Sequence, residues 1–383
     1  MPDLDALQTT FKTKGPAALI DRLLADLKAA KDYQSLFYAM LMKKRHELGV
    51  SPIATGNNND IPADKVEAFE NGIRDASRSI GQLYLAENNL PQAWAYFRMI
   101  GETEPIKNAL ENVTLAPDDD PQPLIGIAFY EGVLPTKGFD WILSRYGTCN
   151  AITTVSSSEM PFPPEVKQYC VRRLIQTLHN DLIERLSAEI ERKQGFPPTA
   201  KTVEELIQGR DWLFEEESYH IDLSHLNSVI QMAAQLDTVV DLRRARDLCK
   251  YGQKLSTRYG FQTDPPFENT YVDYDIFLAI LCGDDVEKNL DHFRKKAADA
   301  DPETVGLYPA EVLVNLLLKI GRPAEALEIS RKYLTKNAEG RRTCPSFVEL
   351  CQQTKNFTAL ADSAREQGNP INFTAALLAN VSR

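Results

Sequence analysis

One spacing recurs four times along this chain and restricts its fold more than any single residue does. It runs Gly81…Tyr84…Ala93, Leu278…Leu281…Leu290, Val314…Leu317…Ala326 and Phe347…Leu350…Ala359. In each copy two residues three apart are followed nine positions later by a small or apolar one. Residues three apart share a helix face, and the longer step crosses a short turn into a second helix. The last three copies begin 36 and 33 residues apart. A period in the thirties belongs to stacked supersecondary units, not to one closed core. The pattern therefore predicts an all-α chain of stacked antiparallel helical hairpins, less regular in its middle.

The first copy shows how such a hairpin is written. Gly81 lets a partner backbone come close, and Tyr84 follows on the same face. Asn88 and Asn89 tolerate the unusual backbone angles of a turn. Pro91 suits the first turn of the second helix, where its missing N–H is harmless. Ala93 and Phe97 then line the seam, and Pro105 opens the next segment. These residues resemble the tetratricopeptide repeat, with Gly81, Tyr84, Ala93, Phe97 and Pro105 on five signature positions. The unit at 307–338 fits through Leu313, Leu317, the Gly321-Arg322 turn and Ala326, and the unit at 271–302 through Ala297 and Pro302. The resemblance implies a TPR-like α-solenoid that binds a partner peptide or helix on its concave face. It puts Asp75, Arg78 and Gln82 on that face in the first unit, and Asp275, Tyr308, Glu311 and Asn315 in later ones.

Length and charge narrow the classes further. A chain of 383 residues exceeds the span of a single core. The boundaries expected are an N-terminal helical lobe at 1–146, an irregular Pro/Ser-rich linker at 147–164 and a C-terminal lobe at 165–383. Net charge is −11, which opposes docking on nucleic acid or anionic lipid. It favours a basic or polar protein partner for an acidic groove. No apolar run has the length of a membrane span, and the acidic start Met1-Pro-Asp-Leu-Asp does not read as a signal peptide. A soluble cytoplasmic protein is the expectation. The six cysteines form no CxxC pair, and most read as small core residues, with Cys249, Cys282 and Cys351 among apolar helical neighbours.

Along the chain, apolar spacing predicts two helices over 16–48, the second ending in Lys43-Lys44-Arg45-His46, where cations complement the helix dipole. Gly56-Asn-Asn-Asn marks a loop, and Asp64 with Glu67 has the spacing of a capping box. The acidic, Pro-rich stretch 116–123 breaks the helices before a shorter hairpin around Leu124–Glu131 and Gly138–Tyr146. Cys149-Asn-Ala-Ile-Thr-Thr-Val has the β-branched content of a short strand. One long helix is expected from Glu165 to Lys193, its apolar stripe suited to bridging lobes or to self-association. Further helices are expected over Val203–Glu217, Ser224–Leu236 and Val239–Tyr251, then a Pro-rich loop from Phe261.

Chemistry-bearing motifs are sparse. The chain has no P-loop, GxGxxG, GxSxG or HExxH. His220, Asp222 and His225 form the densest ligand-type cluster, but the five-residue gap between the histidines misses the helical spacing of a metal pair. Asp222 and Ser224 suit a helix N-cap, and Glu215-Glu-Glu reads as a solvated helix end. The expectation is a non-catalytic scaffold or adaptor without cofactor or metal. The alternative is an all-α enzyme, or enzyme subunit, with a site near His220, Asp222 and His225.

Overall fold

The computed structural model describes residues 2–55, 60–157, 162–259, 263–335 and 342–381. Among them the chain is all-helical, with no β-strand. It divides into two compact units, Met1–Gly147 and Thr148–Arg383. The loop expected at Gly56–Asn59 and the starts and ends of other expected loops, at 158–161 and 260–262, lie outside the described residues.

In the first unit α1 (Leu4–Ala29) packs on α2 (Tyr33–Glu47), α2 on α3 (Val66–Ala86) and α3 on α4 (Leu90–Met99). α5 (Glu104–Asn112), α6 (Gln122–Ile125), a π-turn at Gly126–Tyr130 and the first part of α7 (Pro135–Ser156) follow. Gly15, at φ +84°, breaks α1. The α3–α4 hairpin follows its sequence closely. A Cβ added to Gly81 would stand 2.6 Å from the fully buried ring of Phe97. Asn88 takes φ +58°, Asn89 caps α4 by accepting from the Gln92 N–H, and Pro91 fills the first turn. Beside this seam Tyr33, Leu36, Phe37, Ala76 and Ile80 form the core, with Tyr33 edge-on to Tyr84 at 5.0 Å.

In the second unit α8 (Pro164–Gln194) is a single 31-residue helix, as its stripe predicts. The stripe, from Cys170 through Leu174, Leu178, Leu182 and Leu186 to Ile190, is buried. α9 (Val203–Ile207), α10 (Leu223–Ala233) and α11 (Val239–Gly252) pack against α8, so the motive for self-association through it is removed. From α11 onward consecutive helices pack in chain order: α12 (Thr270–Cys282), α13 (Val286–Asp299), α14 (Tyr308–Lys319), α15 (Pro323–Tyr333), α16 (Phe347–Thr354), α17 (Phe357–Glu366) and α18 (Pro370–Val381).

A shared turn builds many of these hairpins. The bonds Asp32 N→Leu27 O, Asn89 N→Tyr84 O, Asn356 N→Cys351 O and Asn369 N→Ala364 O each close a six-residue helix ending of the Schellman type. The residue before each, Lys31, Asn88, Lys355 and Gly368, has positive φ. The Asp or Asn then caps the next helix by accepting from the N–H three residues on. Two helix ends are thus satisfied within a few residues, which is why the connections are short.

Three local expectations are corrected. The segment 148–156 is helical, not a strand inside an irregular linker. The Thr153 and Thr154 hydroxyls donate to the Cys149 and Asn150 carbonyls one turn back, so the β-branched residues are accommodated in the helix. Asp64 sits in a 3-10 turn and caps nothing, because α3 starts after Lys65. Val203–Glu217 is not one helix: Gly209, at φ +69°, separates α9 from a 3-10 turn at Asp211–Glu217.

Candidate binding groove on the N-terminal unit

An open groove of about 820 Å³ is formed by α1, α2, the segment 52–55 and α3. Leu23 of α1, Tyr38, Leu41 and Met42 of α2, and Phe69 and Ile73 of α3 give it an apolar lining. Tyr38 is 62% exposed at its mouth. This size and character match sites that receive apolar ligands or helix side chains.

The far wall exists because of Arg45. Its side chain is buried in the last turn of α2 and reaches the chain that follows. Nε donates to the Ser51 carbonyl at 2.6 Å, and Nη2 donates to Asp60 Oδ2 at 2.6 Å. Its guanidinium lies 5.8 Å from the Phe69 ring centroid. Arg45 therefore ties Ser51, Ile53 and Asp60 to the end of α2. Its hydrogen bond and charge hold the Asp60 carboxyl below the usual carboxylate range, despite opposing desolvation. With these two charges paired, much of the remaining surface is hydrocarbon. The basic run that the sequence presents as one cluster is split by the fold: Arg45 is a buried pin, and Lys43 bonds Asp21 at 2.9 Å on the surface.

The residues placed by the repeat frame are mostly engaged within the chain. Arg78 makes a two-pronged pair with Glu102, at 2.6 Å for the shortest contact, and also bonds the exposed Asp75. That pair fastens α3 to the end of the α4 turn. Gln82 is exposed on α3. Asp275 accepts from Arg246 Nε at 2.7 Å. Glu311 is buried, accepting from the Thr343 N–H and hydroxyl, and Asn315 donates to the Thr343 carbonyl. Glu311 and Asn315 thus hold the chain's own 342–346 segment. Tyr308 is exposed at the start of α14.

The His220, Asp222 and His225 cluster is built as a helix start. Asp222 caps α10, accepting from the Ser224 and His225 N–H groups. His220 is buried against Tyr251 and Phe214. Among the described residues no group of three or more His, Cys, Asp or Glu is placed to hold a metal ion. Cys170, Cys249, Cys344 and Cys351 are buried. Burial pushes the Cys344 and Cys351 thiols up to about 11, far from a reactive thiolate.

No family model matches the chain, and neither a curated protein nor a solved structure matches it. The tetratricopeptide likeness therefore rests on the residues of this chain alone. No described helix is long and apolar enough to cross a membrane.

Proposed function

We propose that this is a non-catalytic binding protein of TPR-like stacked hairpins, and that its first unit docks the apolar face of a partner helix. The observation that carries this reading is the α1–α3 groove: about 820 Å³, open, lined by Leu, Met, Tyr and Phe side chains, with Arg45 and Asp60 already paired. A helix presents anchors at i, i+3 or i+4 and i+7 to such a groove, and a few buried aliphatic or aromatic anchors carry most of the affinity. The consecutive packing of α11 to α18 supports the repeat reading. The occupation of Arg78, Asp275, Glu311 and Asn315 by internal partners supports an apolar groove over a polar peptide clamp.

The test is a titration of the folded full chain with anilinonaphthalene sulfonate, compared with Met42→Glu and Tyr38→Asp. Both side chains line the groove. Saturable binding that weakens about tenfold in either variant, with circular dichroism unchanged, is the expected result. Equal binding by all three proteins would remove the groove as the site.

A further inference from the structure

Three charged side chains line the groove, Asp32, Arg45 and Asp60, and one of them has no side-chain counter-ion among the described residues. Arg45 and Asp60 neutralise each other at the end of α2. Asp32 stands at the other end, where it caps α2 by accepting from the Ser35 N–H at 3.1 Å. Its neighbour Lys31 turns instead to Glu87, 2.8 Å away. Hydrogen bonds from the Ser35 side chain and N–H hold the Asp32 carboxyl below the usual carboxylate range, so it is ionised at neutral pH.

Capping does not call for that charge. The same turn places Asn89, Asn356 and Asn369 at the corresponding position, and each caps its helix through a neutral amide oxygen. Of these four caps only Asp32 lines the groove. Arg45 follows it 13 positions later, about 20 Å along α2 at 1.5 Å per residue. Between the two, Tyr38, Ala39 and Met42 line the groove at helical spacing. The groove is thus apolar along its length, neutral at one end and anionic at the other. Covering the anionic end with hydrocarbon would desolvate a carboxylate without a counter-charge.

We infer that the helix received by the α1–α3 groove is a basic amphipathic one, with a lysine or arginine at the end of its apolar stripe that meets the Asp32 carboxylate. The inference rests on the docking reading of the groove and adds the partner's charge and orientation to it. The apolar anchors supply the affinity, and the ion pair chooses which end of the helix lies beside Asp32. Such pairs fix register and reject wrong partners more than they strengthen binding. A partner with a carboxylate at that end meets repulsion instead. The net charge of −11 draws cationic partners in the same sense.

Fluorescence anisotropy titrations of the full chain with labelled amphipathic helical peptides test this. Each peptide carries leucines at i, i+4 and i+7. One set has Lys, Gln or Glu one turn before the first leucine, and a second set has it one turn after the last, since a helix can lie either way. In the set that brings this residue to Asp32, the Lys peptide is expected to bind about threefold to fivefold tighter than the Gln peptide, as an exposed ion pair allows. The Glu peptide should bind more weakly still. Salt at about 0.5 M should flatten the order. Asp32→Asn keeps the cap acceptor, with circular dichroism to check the fold, and should bind all three alike. A wild type that prefers Lys in neither set overturns the inference, as does a preference that survives Asp32→Asn. Met42→Glu, read on the Gln peptide, separates this from the docking reading. A Gln peptide that loses affinity about tenfold there, beside a Lys preference that is absent or indifferent to Asp32→Asn, keeps the groove and loses the basic partner. Peptides that do not bind, or a Gln peptide indifferent to Met42→Glu, lose both.

Discussion

The Tyr251 hydroxyl stands 2.7 Å from the His220 main-chain nitrogen and 3.1 Å from the same residue's Nδ1. The main-chain N–H donates to the hydroxyl oxygen, and Nδ1 shares a second hydrogen bond with the same hydroxyl. The His220 pKa is held below its ordinary value, chiefly by burial, with the Glu189 charge opposing.

The sign of the pH effect follows. Below about pH 6.5 the unfolded chain protonates this histidine while the folded chain still resists, so the unfolded state binds more protons. His220 therefore contributes full stability above that pH and progressively less as pH falls toward its folded pKa. The urea midpoint of the wild type should drop more between pH 7.5 and pH 5 than that of His220→Asn, whose amide keeps an acceptor without titrating. Parallel pH profiles would mean that the ring takes up its proton in the fold as readily as in the unfolded chain.

Gly81 offers a sharper packing test. Alanine gains roughly 1 kcal/mol over glycine inside a helix, so Gly81→Ala would stabilise α3 if space were free. The added Cβ instead meets Phe97 at 2.6 Å, and Phe97 is fully buried with no open side to move into. Overpacking of this kind costs roughly 1–3 kcal/mol. Gly81→Ala should therefore be neutral to destabilising, and Gly81→Val destabilising by more, in urea unfolding followed by circular dichroism. A more stable Gly81→Ala would show that the seam relaxes.

The α3–α4 hairpin was legible because its information is local. Asn88, Asn89, Pro91 and Gly81 act within a few residues of where they stand, and the turn that recurs at Lys31-Asp32, Lys355-Asn356 and Gly368-Asn369 obeys the same rule. Two lysines at positive φ hid that recurrence, since lysine carries no turn signature. The 148–156 helix was missed because propensity favours a strand for Ile152-Thr-Thr-Val, whereas hydroxyl bonds to the preceding turn satisfy the threonines in a helix. The groove was illegible for a different reason. Arg45 reads as one more cation at a helix end, and Asp60, 15 residues on, meets it only in the fold. Likewise the repeat frame placed Glu311 and Asn315 on α14, but Thr343, about 30 residues on, decides what they touch.

Asp273 is a buried junction whose loss should be felt in stability rather than in binding. It is 1% exposed and accepts from His292 Nε2 at 2.7 Å, Lys296 Nζ at 2.8 Å and the Asn269 N–H at 2.8 Å. Lys296 continues to the Pro266 carbonyl and Glu268. One carboxylate thus joins the start of α12 to α13 and to the segment before it. Asp273→Ala takes from a partly buried lysine one of its two carboxylate partners, and from His292 its acceptor, a loss of order 3 kcal/mol. The urea midpoint should fall accordingly while groove-dependent dye binding persists. A loss under about 1 kcal/mol would mean that Glu268 takes over the lysine.

The Arg45–Asp60 pair should respond asymmetrically to removal of either partner. The Arg45 side chain is only 6% exposed, whereas that of Asp60 is 25% exposed. If Arg45 is replaced by methionine, the Asp60 carboxylate can turn to water, and the thioether fills part of the space left by the guanidinium stem. If Asp60 is replaced by alanine, the guanidinium stays buried with only carbonyl acceptors, those of Ser51 and Ile53. A stranded buried charge costs more than an exposed one released. Asp60→Ala should therefore lower the urea midpoint further than Arg45→Met, and the double variant should recover part of the difference. Arg45→Met frees the 51–55 wall and should weaken dye binding in the groove, by about tenfold if the wall supplies one good anchor contact, whereas Asp60→Ala keeps the bonds to Ser51 and Ile53 and should weaken it less. The reverse order of midpoints, with Arg45→Met the more damaging, would show that the arginine acts chiefly through its bonds to the Ser51 and Ile53 carbonyls rather than through its charge.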